Sequence, residues 1–491
     1  MTSSEPTRVT QSLIRQANAE TRSGCKNKGY DLAKSGWVVS PGSFIASRTS
    51  ANLAKEIGEA PHFQNQIRRS FVLNPGDPDT RLLLASVIEE SGDVLCAIRL
   101  VREGVKRHPS DPRFHFSLGL MLRRNGKPIS KYSRPFKRAF LLNVNQLSAL
   151  KANIIAFLHQ EKYGEATKFS ILNCVLNSGI ADKHKMTDSL FVLAHSCREN
   201  GLRQIGVKWI NRWLKEVQTR PEYPRLMMEL GVLQIGSGKF SEALPIFEHL
   251  TSDEGISYRA DYVAYHAVLK YALGDNAGFC GLVNDGLIVE ATLSDGLTPG
   301  QLDTLNRDLL SLVLNHRSLT IARSGTSGQI ERTAYQGTES ILKDEAPALK
   351  FFRDALRRKI TEYVKFLTPD RSHPFLRNLE MEVSLRLGRM WGLVVREATD
   401  TVRHHHGDSF ISAIYYVDVP EEMEGQDGPR AGWLEIGPPN VDIPFDQKDI
   451  IYIQPHAGKL ILMPSYFFHT VLPTSNPRPR VSIATDVMLA T

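Results

Sequence analysis

The sequence is poor in cysteine and contains no long apolar run. Its five cysteines are widely spaced, odd in number and form no CxxC pair, so neither a disulfide framework nor a zinc ribbon is indicated. No window approaches the roughly 18 consecutive apolar residues that span a bilayer, and the N-terminal stretch has no apolar signal-peptide core. We therefore expect a cytoplasmic protein with no membrane association. The cysteines are Cys25, Cys96, Cys174, Cys197 and Cys280.

Positive and negative charges are also nearly balanced. The chain has 60 Lys and Arg against 53 Asp and Glu, and a net charge of +7 spread over 491 residues is too dilute to indicate nucleic-acid binding. Hydrophobic residues make up 42% and charged residues 23%, which is ordinary for a folded protein. A chain of this length exceeds what one hydrophobic core usually supports, so we expect two or three domains. Since helical and strand-rich segments follow one another along the chain, as described below, the expected class is an α+β multidomain protein.

A helical repeat of 34 residues is present in the first half of the sequence. The proline-containing turn at 74–78 recurs at 108–112, which is the spacing of tetratricopeptide repeats. The segment from Leu230 to Phe247 resembles a late copy of the same repeat closely. Because one helix pair cannot bury its own apolar face, several pairs must stack into an all-α solenoid with a concave groove. We expect this array to span residues 63–290.

Small residues recur in phase with these turns. Ala85 and Gly92 in one unit correspond to Gly119 and Gly126 in the next, each pair 34 residues apart. We expect all four to let two helices approach closely. A third turn at 143–145 keeps the same step without its prolines.

Three further segments flank the array. Residues 1–62 show no motif and are expected to be helical or irregular. Residues 291–345 lose the periodicity, and Ser324–Gln329 is the strongest breaker cluster of the chain, so a linker with a loop leading into the next domain is expected. Residues 346–491 begin with an amphipathic helix, 346–366, and continue as short strands separated by Pro and Gly turns.

The strands of the C-terminal segment predict an all-β architecture. Many short strands within one domain indicate a sandwich or a jelly roll. The expected strands are 383–387, 392–396, 410–417, 432–436, 459–463 and 481–487.

Three adjacent histidines immediately precede one of these strands. Because residues i and i+2 of a strand project to the same side, His404 with His406, or His406 with Asp408, could chelate one metal ion. The third ligand that we expect is His469, which follows an apolar strand and a tight turn. Three protein ligands leave positions open for a substrate and dioxygen. His405 would face the opposite side.

A candidate carboxylate site lies on the last expected strand. Arg480 and Ser482 are two residues apart, so the guanidinium and the hydroxyl share one face of the strand. Together they could bind a carboxylate through charge-assisted hydrogen bonds.

Five ordered motifs give this region a family resemblance. They are H-x-H, S-x-x-Y-Y-V-x-x-P, G-W-L-x-x-G-x-P, an apolar strand ending in P-S-x-x-x-H, and R-x-S. Between His404 and Val487 the chain thus resembles the 2-oxoglutarate and iron(II) oxygenases that often carry tetratricopeptide repeats. The motifs occupy His404–His406, Ser412–Pro420, Gly432–Pro439, Pro464–His469 and Arg480–Ser482.

The resemblance implies a fold, cofactors and a reaction. It implies a double-stranded β-helix in which 2-oxoglutarate chelates Fe(II) while its far carboxylate pairs with Arg480 and Ser482. With O2, the cosubstrate would be decarboxylated to succinate and carbon dioxide, and a C–H bond of the substrate would be hydroxylated. Either Tyr415 or Tyr416 should face the barrel interior, where we expect Tyr416 to contact the cosubstrate.

Two sets of iron ligands remain open from the sequence. The resemblance selects His404, His406 and His469, whereas the His-x-Asp pattern of the wider superfamily selects His406, Asp408 and His469. The family resembled here has proline at the position of Gly407, so this chain departs from its pattern at that point.

Three functions compete. The first is a dioxygenase whose peptide, protein or carrier-bound substrate is selected by the groove of the array. The second is a catalytically inactive scaffold that binds a metal or a ligand, and the third is an oxygenase of a free small molecule whose array only braces the neighbouring domain. The oligomeric state is not indicated.

Overall fold

The computed structural model divides the chain into two compact units, Met1–Gly201 and Leu202–Thr491, and each is described by itself. The structure describes residues 5–143, 147–159, 161–178, 183–219, 221–294, 297–324, 328–334, 340–379, 383–396, 401–420, 430–474 and 476–490.

The first unit is built from helices alone in its described part. Each of these helices packs against the next one along the chain, which is the nearest-neighbour packing of a helical repeat. They are α1 (Glu5–Arg22), α2 (Lys26–Val39), α3 (Phe44–Ile57), α4 (Ala60–Leu73), α5 (Pro78–Glu90), α6 (Val94–Arg107), α7 (Pro112–Arg124), α8 (Ile129–Leu142), α9 (Leu147–His159), α10 (Tyr163–Ser178) and α11 (Lys183–Glu199).

The repeated turns of the sequence begin helices α5 and α7. The Asp77 carboxylate accepts a hydrogen bond from the backbone N–H of Thr80, and the Asp111 carboxylate accepts one from Arg113. Such side-chain caps satisfy backbone donors that a helix start otherwise leaves unpaired, and proline suits the first helical position. Most of the third expected turn, at 143–145, lies outside the described residues.

The four small residues of the repeat have two different roles. Ala85 is fully buried, and a Cβ at Gly119 would lie 2.6 Å from the Phe136 ring, so both permit close helix packing as expected. At Gly92 and Gly126 that prediction was wrong. Their φ angles of +94° and +62°, with no neighbour near a Cβ, show that they end helices α5 and α7 in the left-handed conformation.

The second unit begins with further helices in chain order. These helices α12 to α16 again pack sequentially, and two longer helices, α17 and α18, follow. In the described part of the chain, no helix combines the length and apolar character needed to cross a membrane. The helices are α12 (Arg203–Val217), α13 (Tyr223–Ile235), α14 (Phe240–Ser252), α15 (Ala260–Ala272), α16 (Asn276–Leu282), α17 (Pro299–Leu314) and α18 (Pro347–Phe366).

The same unit contains two antiparallel sheets. The strands are β1 (Val289–Thr292), β2 (Thr320–Ser324), β3 (Gly328–Arg332), β4 (Leu385–Val395), β5 (Ile411–Asp418), β6 (Leu434–Ile436), β7 (Ile451–Ile453), β8 (Lys459–Pro464), β9 (His469–Val471) and β10 (Arg480–Leu489). Their order is β1-β8-β5-β10-β4-β3-β2 in the larger sheet and β7-β6-β9 in the smaller one. The predicted fold class, a tetratricopeptide-like helical region followed by a jelly roll, is confirmed.

Strand β4 differs from its prediction. The two strands expected at 383–387 and 392–396 form one strand, because β4 pairs with β10 from Leu385 to Val395, with a register shift at Gly388. Gly388 and Gly392 do not mark a turn. A Cβ at Gly392 would lie 2.6 Å from Val313 of α17, so this glycine permits close packing of a helix on the sheet.

The stretch 291–345 is also more structured than a linker. It contains α17, whose capping box joins Thr298 and Gln301, and the β2–β3 hairpin, whose strand β3 pairs with β4. The Thr-x-x-Gln pattern before a helical run is a start signal that the sequence offered. Residues 325–327 of the expected breaker cluster lie outside the described part of the chain.

Helices α17 and α18 pack against the larger sheet and thereby fix which face of β5 is free. The ring of Tyr415 lies 5.2 Å from that of Phe352, and its hydroxyl donates a hydrogen bond to Asn306 at 2.6 Å. Because side chains alternate along a strand, Tyr416 points to the other face. That face lines the cavity described next.

Candidate metal centre

Backbone pairing brings the histidine cluster to His469. The backbone N–H of His404 donates to the carbonyl of His469 at 3.1 Å, and His469 donates back to His404 at 2.9 Å. Two residues later, His406 donates to the carbonyl of Ser465 at 2.9 Å. The segment that carries the histidines is therefore held beside the turn between β8 and β9.

The rings of these three histidines converge. Their centroids are 4.5 Å apart for His404 and His469, 5.2 Å for His404 and His406, and 5.2 Å for His406 and His469. One ligand atom from each lies within 4.8 Å of the others, and within the described residues this is the set of such side chains that could hold a metal ion. The structure thus brings together the three histidines that the resemblance selects.

Each of the three rings has its Nδ1 occupied by an acceptor. Nδ1 of His404 lies 2.7 Å from the Val402 carbonyl, and Nδ1 of His469 lies 2.9 Å from the Phe467 carbonyl. A carbonyl only accepts, so in both rings Nδ1 carries the proton. In a neutral imidazole the other nitrogen, Nε2, then has a free lone pair, which is what a metal ligand needs.

The surroundings keep two of these rings neutral. Burial lowers the pKa of His404 to about 4, and the neighbouring His406 adds to this effect. Burial, followed by the two other histidines, lowers the pKa of His469 well below its ordinary value. His404 still has solvent-accessible surface because it lines an open cavity. Neutral imidazole is the form that binds a metal ion.

A buried carboxylate contacts the ring of the third histidine, His406. Nδ1 of His406 lies 2.5 Å from Asp486 Oδ1, and the other carboxylate oxygen of Asp486 pairs with Arg389. Burial raises the pKa of Asp486, but the hydrogen bond and charge of His406 and the charge of Arg389 outweigh it, so the pKa lies below its ordinary value. The carboxylate therefore fixes the orientation and the tautomer of His406, with Nε2 left as the nitrogen that could bind a metal ion.

Asp486 was missed by the sequence reasoning, although a signal was present. It lies on β10 at an even spacing from Arg480 and Ser482, and a period of two places all three on one face. The cavity indeed has all three in its lining.

We expect Asp486→Asn to weaken metal binding by about tenfold or more, which is the lower end of the effect of losing a partner of a ligand histidine. The amide keeps the shape of the side chain but loses the negative charge. Isothermal titration of the protein with Co(II) measures the change. Asp418→Asn is the matched control. Asp418 lies on β5 of the same sheet and also pairs with an arginine, Arg478. Equal affinities of the two variants would contradict the role of Asp486.

The alternative ligand, Asp408, is placed differently. It is exposed, and its carboxylate pairs with Arg389 at 2.7 Å. Arg389 thus lies between Asp408 and Asp486. Asp408 lines the same cavity as the histidines, but it is not part of the convergent set of ligand atoms.

A buried arginine without a counter-ion lies in the same cavity. Arg480 is 2% exposed, and one N–H of its guanidinium donates to the Gly432 carbonyl at 2.7 Å. Among the described residues, its Nε has no hydrogen-bond partner and no carboxylate pairs with the guanidinium. Burial lowers the pKa of Arg480, yet a guanidinium stays protonated at neutral pH. Removing one partner from a buried ion pair costs about 3–5 kcal/mol, so this environment favours a bound anion.

Two further polar groups lie beside that arginine. The ring of Tyr416 is 5.5 Å from the guanidinium carbon, and its buried hydroxyl has no hydrogen-bond partner in the part of the chain that the structure describes. Ser482 is 2% exposed and lies opposite Tyr416 in the β5–β10 pair. The cavity that contains these groups and the three histidines has a volume of about 480 Å³, which suits a small dicarboxylate together with part of a substrate.

The C-terminal part of the chain is similar to a known family. Residues 389–486 match the family model described as "Putative 2OG-Fe(II) oxygenase", and this range includes every cavity residue discussed above. No curated protein matches the chain.

Solved structures of tetratricopeptide proteins are similar to the helical part of the chain. PilF of Pseudomonas aeruginosa is 14% identical over 45% of this chain and 97% of its own, with a TM-score of 0.37. YrrB, titled a TPR protein with an unusual peptide-binding site, is 11% identical over 38% and 97%, with a TM-score of 0.30. The TPR protein TTC0263 of Thermus thermophilus is 14% identical over 38% and 98%, with a TM-score of 0.31. Likeness at this level concerns the fold alone.

Proposed function

We propose that the chain is a 2-oxoglutarate- and Fe(II)-dependent dioxygenase that hydroxylates a C–H bond of a peptide, protein or carrier-bound substrate. One observation carries the proposal: a single cavity contains three convergent imidazoles, and a buried guanidinium for which the described residues supply no counter-ion. Such a cavity offers one site for a metal ion and a second site for the carboxylate of a ligand.

The donor set fits iron(II). His404, His406 and His469 would hold the ion through Nε2, and three protein ligands leave positions open for the cosubstrate and O2. With 2-oxoglutarate and O2, bound iron supplies oxidative decarboxylation to succinate and carbon dioxide, coupled to oxidation of the substrate.

The buried guanidinium of Arg480 would bind the cosubstrate. Arg480 would bind the far carboxylate of 2-oxoglutarate in bidentate fashion, with Ser482 and Tyr416 as hydrogen-bond donors. In a buried site these contacts are strong because water does not compete for them. The apolar side chains of Ile414 and Leu434 in the cavity wall exclude water from this end.

The all-histidine set would make the metal site one unit more positive than a site with two histidines and one carboxylate. Asp486 lies behind His406 and is ionised at neutral pH. Its negative charge partly replaces that of the carboxylate ligand that is absent, because it acts through a direct hydrogen bond to a ligand ring.

We expect the affinities of Asp408→Ala for the metal and the cosubstrate to stay within about threefold of wild type. An ion pair of an exposed carboxylate, such as that of Asp408 with Arg389, contributes little. His404→Ala should lose binding. The two variants decide between the two ligand registers that the sequence left open. The measurement is anaerobic titration with Fe(II) and 2-oxoglutarate, followed by the visible metal-to-ligand charge-transfer band. Loss of the band in Asp408→Ala, together with its retention in His404→Ala, would move the site to His406, Asp408 and His469.

The same titration of the wild-type protein tests the function as a whole. A charge-transfer band, followed in air by release of succinate from 2-oxoglutarate without added substrate, is the expected result. A wild-type protein that gives neither signal would be a scaffold. Because succinate release needs no substrate, this test does not depend on knowing what is oxidised.

The substrate class is proposed from the helical region. Helical repeats commonly bind extended peptides or partner proteins in their groove, which favours a macromolecular substrate over a free small molecule. None of the five cysteines forms a disulfide within the described part of the chain, which supports a reducing compartment such as the cytoplasm. Succinate release from 2-oxoglutarate that rises above the substrate-free rate when a partner protein is added would support this substrate class.

A further inference from the structure

The middle histidine of the cluster is turned towards helix α15. Nε2 of His405 lies 3.0 Å from Asp261 Oδ1, and the His405 side chain is only 9% exposed. The second oxygen of Asp261 accepts a hydrogen bond from Arg259 at 2.6 Å. His405 is therefore held by a carboxylate whose two oxygens are both occupied.

The backbone of the histidine segment is bound at the same point. The N–H of Asp261 donates to the carbonyl of Gly407 at 3.2 Å. A Cβ at Gly407 would lie 1.9 Å from Asp261 Oδ1, so a side chain at this position would displace the Asp261 carboxylate from its present place. Asp261 thus contacts the segment through both its backbone and its side chain.

Aromatic packing connects α15 to the third histidine as well. The His405 ring lies 4.6 Å from the ring of Phe468, which immediately precedes His469, and 5.7 Å from the ring of Tyr265 on α15. Tyr265 and Phe468 are 6.1 Å apart. Helix α15 therefore touches both segments of the chain that carry the candidate ligands.

We propose that Asp261 and His405 form a clamp through which α15 positions the metal ligands, with Asp261 as a positioning residue. In extended backbone, neighbouring side chains alternate, so fixing His405 on α15 turns His404 and His406 to the opposite side. The proposal rests on the proposed function, because it assumes that the three histidines hold a metal. It explains three consecutive histidines of which the outer two converge on His469.

The clamp also connects the metal centre to the helical repeat. Helix α15 packs on α14, which belongs to the clearest late copy of the repeat, where the Phe247 ring lies against Gly231. The Asp261 contact therefore lies where the last repeats meet the jelly roll.

Titration of the full-length protein with Co(II) alone tests the clamp. Asp261→Ala and His405→Leu should each weaken Co(II) binding by about tenfold, as loss of support behind a ligand does, and should change the visible Co(II) spectrum at saturation. His405→Gln should restore both towards wild type, because its amide can donate to Asp261. Asp303→Ala, an exposed aspartate of α17, is the matched control.

The outcomes separate the clamp from the proposed function. Wild-type affinity and spectrum in both Asp261→Ala and His405→Leu would overturn the clamp, as would a His405→Gln protein no better than His405→Leu. If Asp261→Ala does not fold, the two His405 variants decide alone. A wild type that binds Co(II) but gives no band with Fe(II) and 2-oxoglutarate would overturn the proposed function, while the Co(II) affinities would still test the clamp. A wild type that binds no metal would contradict both.

Discussion

Arg480→Ala is expected to reduce the affinity for 2-oxoglutarate by about a hundredfold or more while leaving metal binding intact. The guanidinium is 2% exposed and has no carboxylate partner among the described residues, so a bound carboxylate would be its counter-ion. Losing one partner of a buried ion pair costs about 3–5 kcal/mol, which corresponds to a factor of about 10² to several times 10³ in affinity. The charge-transfer band at increasing 2-oxoglutarate concentration, with Fe(II) saturating, measures this affinity.

Two controls make this result specific. Arg478→Ala should bind 2-oxoglutarate like wild type, because Arg478 is more than half exposed and pairs with Asp418 instead. Arg480→Lys should lie between wild type and Arg480→Ala, since lysine keeps the charge but loses the planar fork. If Arg480→Ala binds 2-oxoglutarate as tightly as Arg478→Ala does, the cavity does not hold the cosubstrate in this way.

His469→Ala is expected to abolish tight metal binding, and with it the charge-transfer band and succinate release. Losing a group that only hydrogen-bonds a ligand costs about 10–100-fold in metal affinity, and loss of a ligand itself should exceed this. The backbone bonds of residue 469 to His404 do not involve the imidazole, so the local fold should persist. Co(II) titration and a thermal melt of the apoprotein separate lost affinity from lost folding.

The matched control for this variant is His456→Ala. His456 is an exposed histidine of the same domain, and it does not belong to the convergent set. A His469→Ala protein that binds Co(II) as tightly as His456→Ala would remove His469 from the metal site and leave the histidine cluster without its third ligand.

The two variants divide the cavity into independent parts. Arg480→Ala should lose the cosubstrate and keep the metal, whereas His469→Ala should lose the metal and therefore the cosubstrate too. A simple loss of folding would remove both in both proteins. The pattern across the two variants thus reports on the arrangement of the cavity and not on stability alone.

Much of the fold follows from local sequence. The 34-residue step and the capped turns at Asp77 and Asp111 depend on contacts within a few residues, so they are visible in the sequence. Gly92 and Gly388 were harder, because a glycine can end a helix, form a turn or permit close packing. Only the neighbours of each glycine in space distinguish these roles, and those neighbours include residues such as Met488, 100 positions away from Gly388.

The candidate site divides in the same way. Residue types and spacings singled out His406 with either His404 or Asp408, a distal His469, and Arg480 with Ser482, and the family resemblance favoured His404. Each of these signals lies within one short motif. Asp486 and Asp261 were missed because their meaning depends on partners in distant segments, His406 and His405.

The amino-acid sequence alone predicts a tetratricopeptide-like helical region, a strand-rich C-terminus and a histidine cluster with a distal histidine and an arginine. These features depend on periodicity and short motifs, which a linear chain displays directly. The folded chain was needed to show that Asp408 pairs with Arg389, that Asp486 contacts His406, and that α15 holds His405. Ionisable groups far apart in the chain become partners because sheet pairing and helix packing bring them within hydrogen-bond distance.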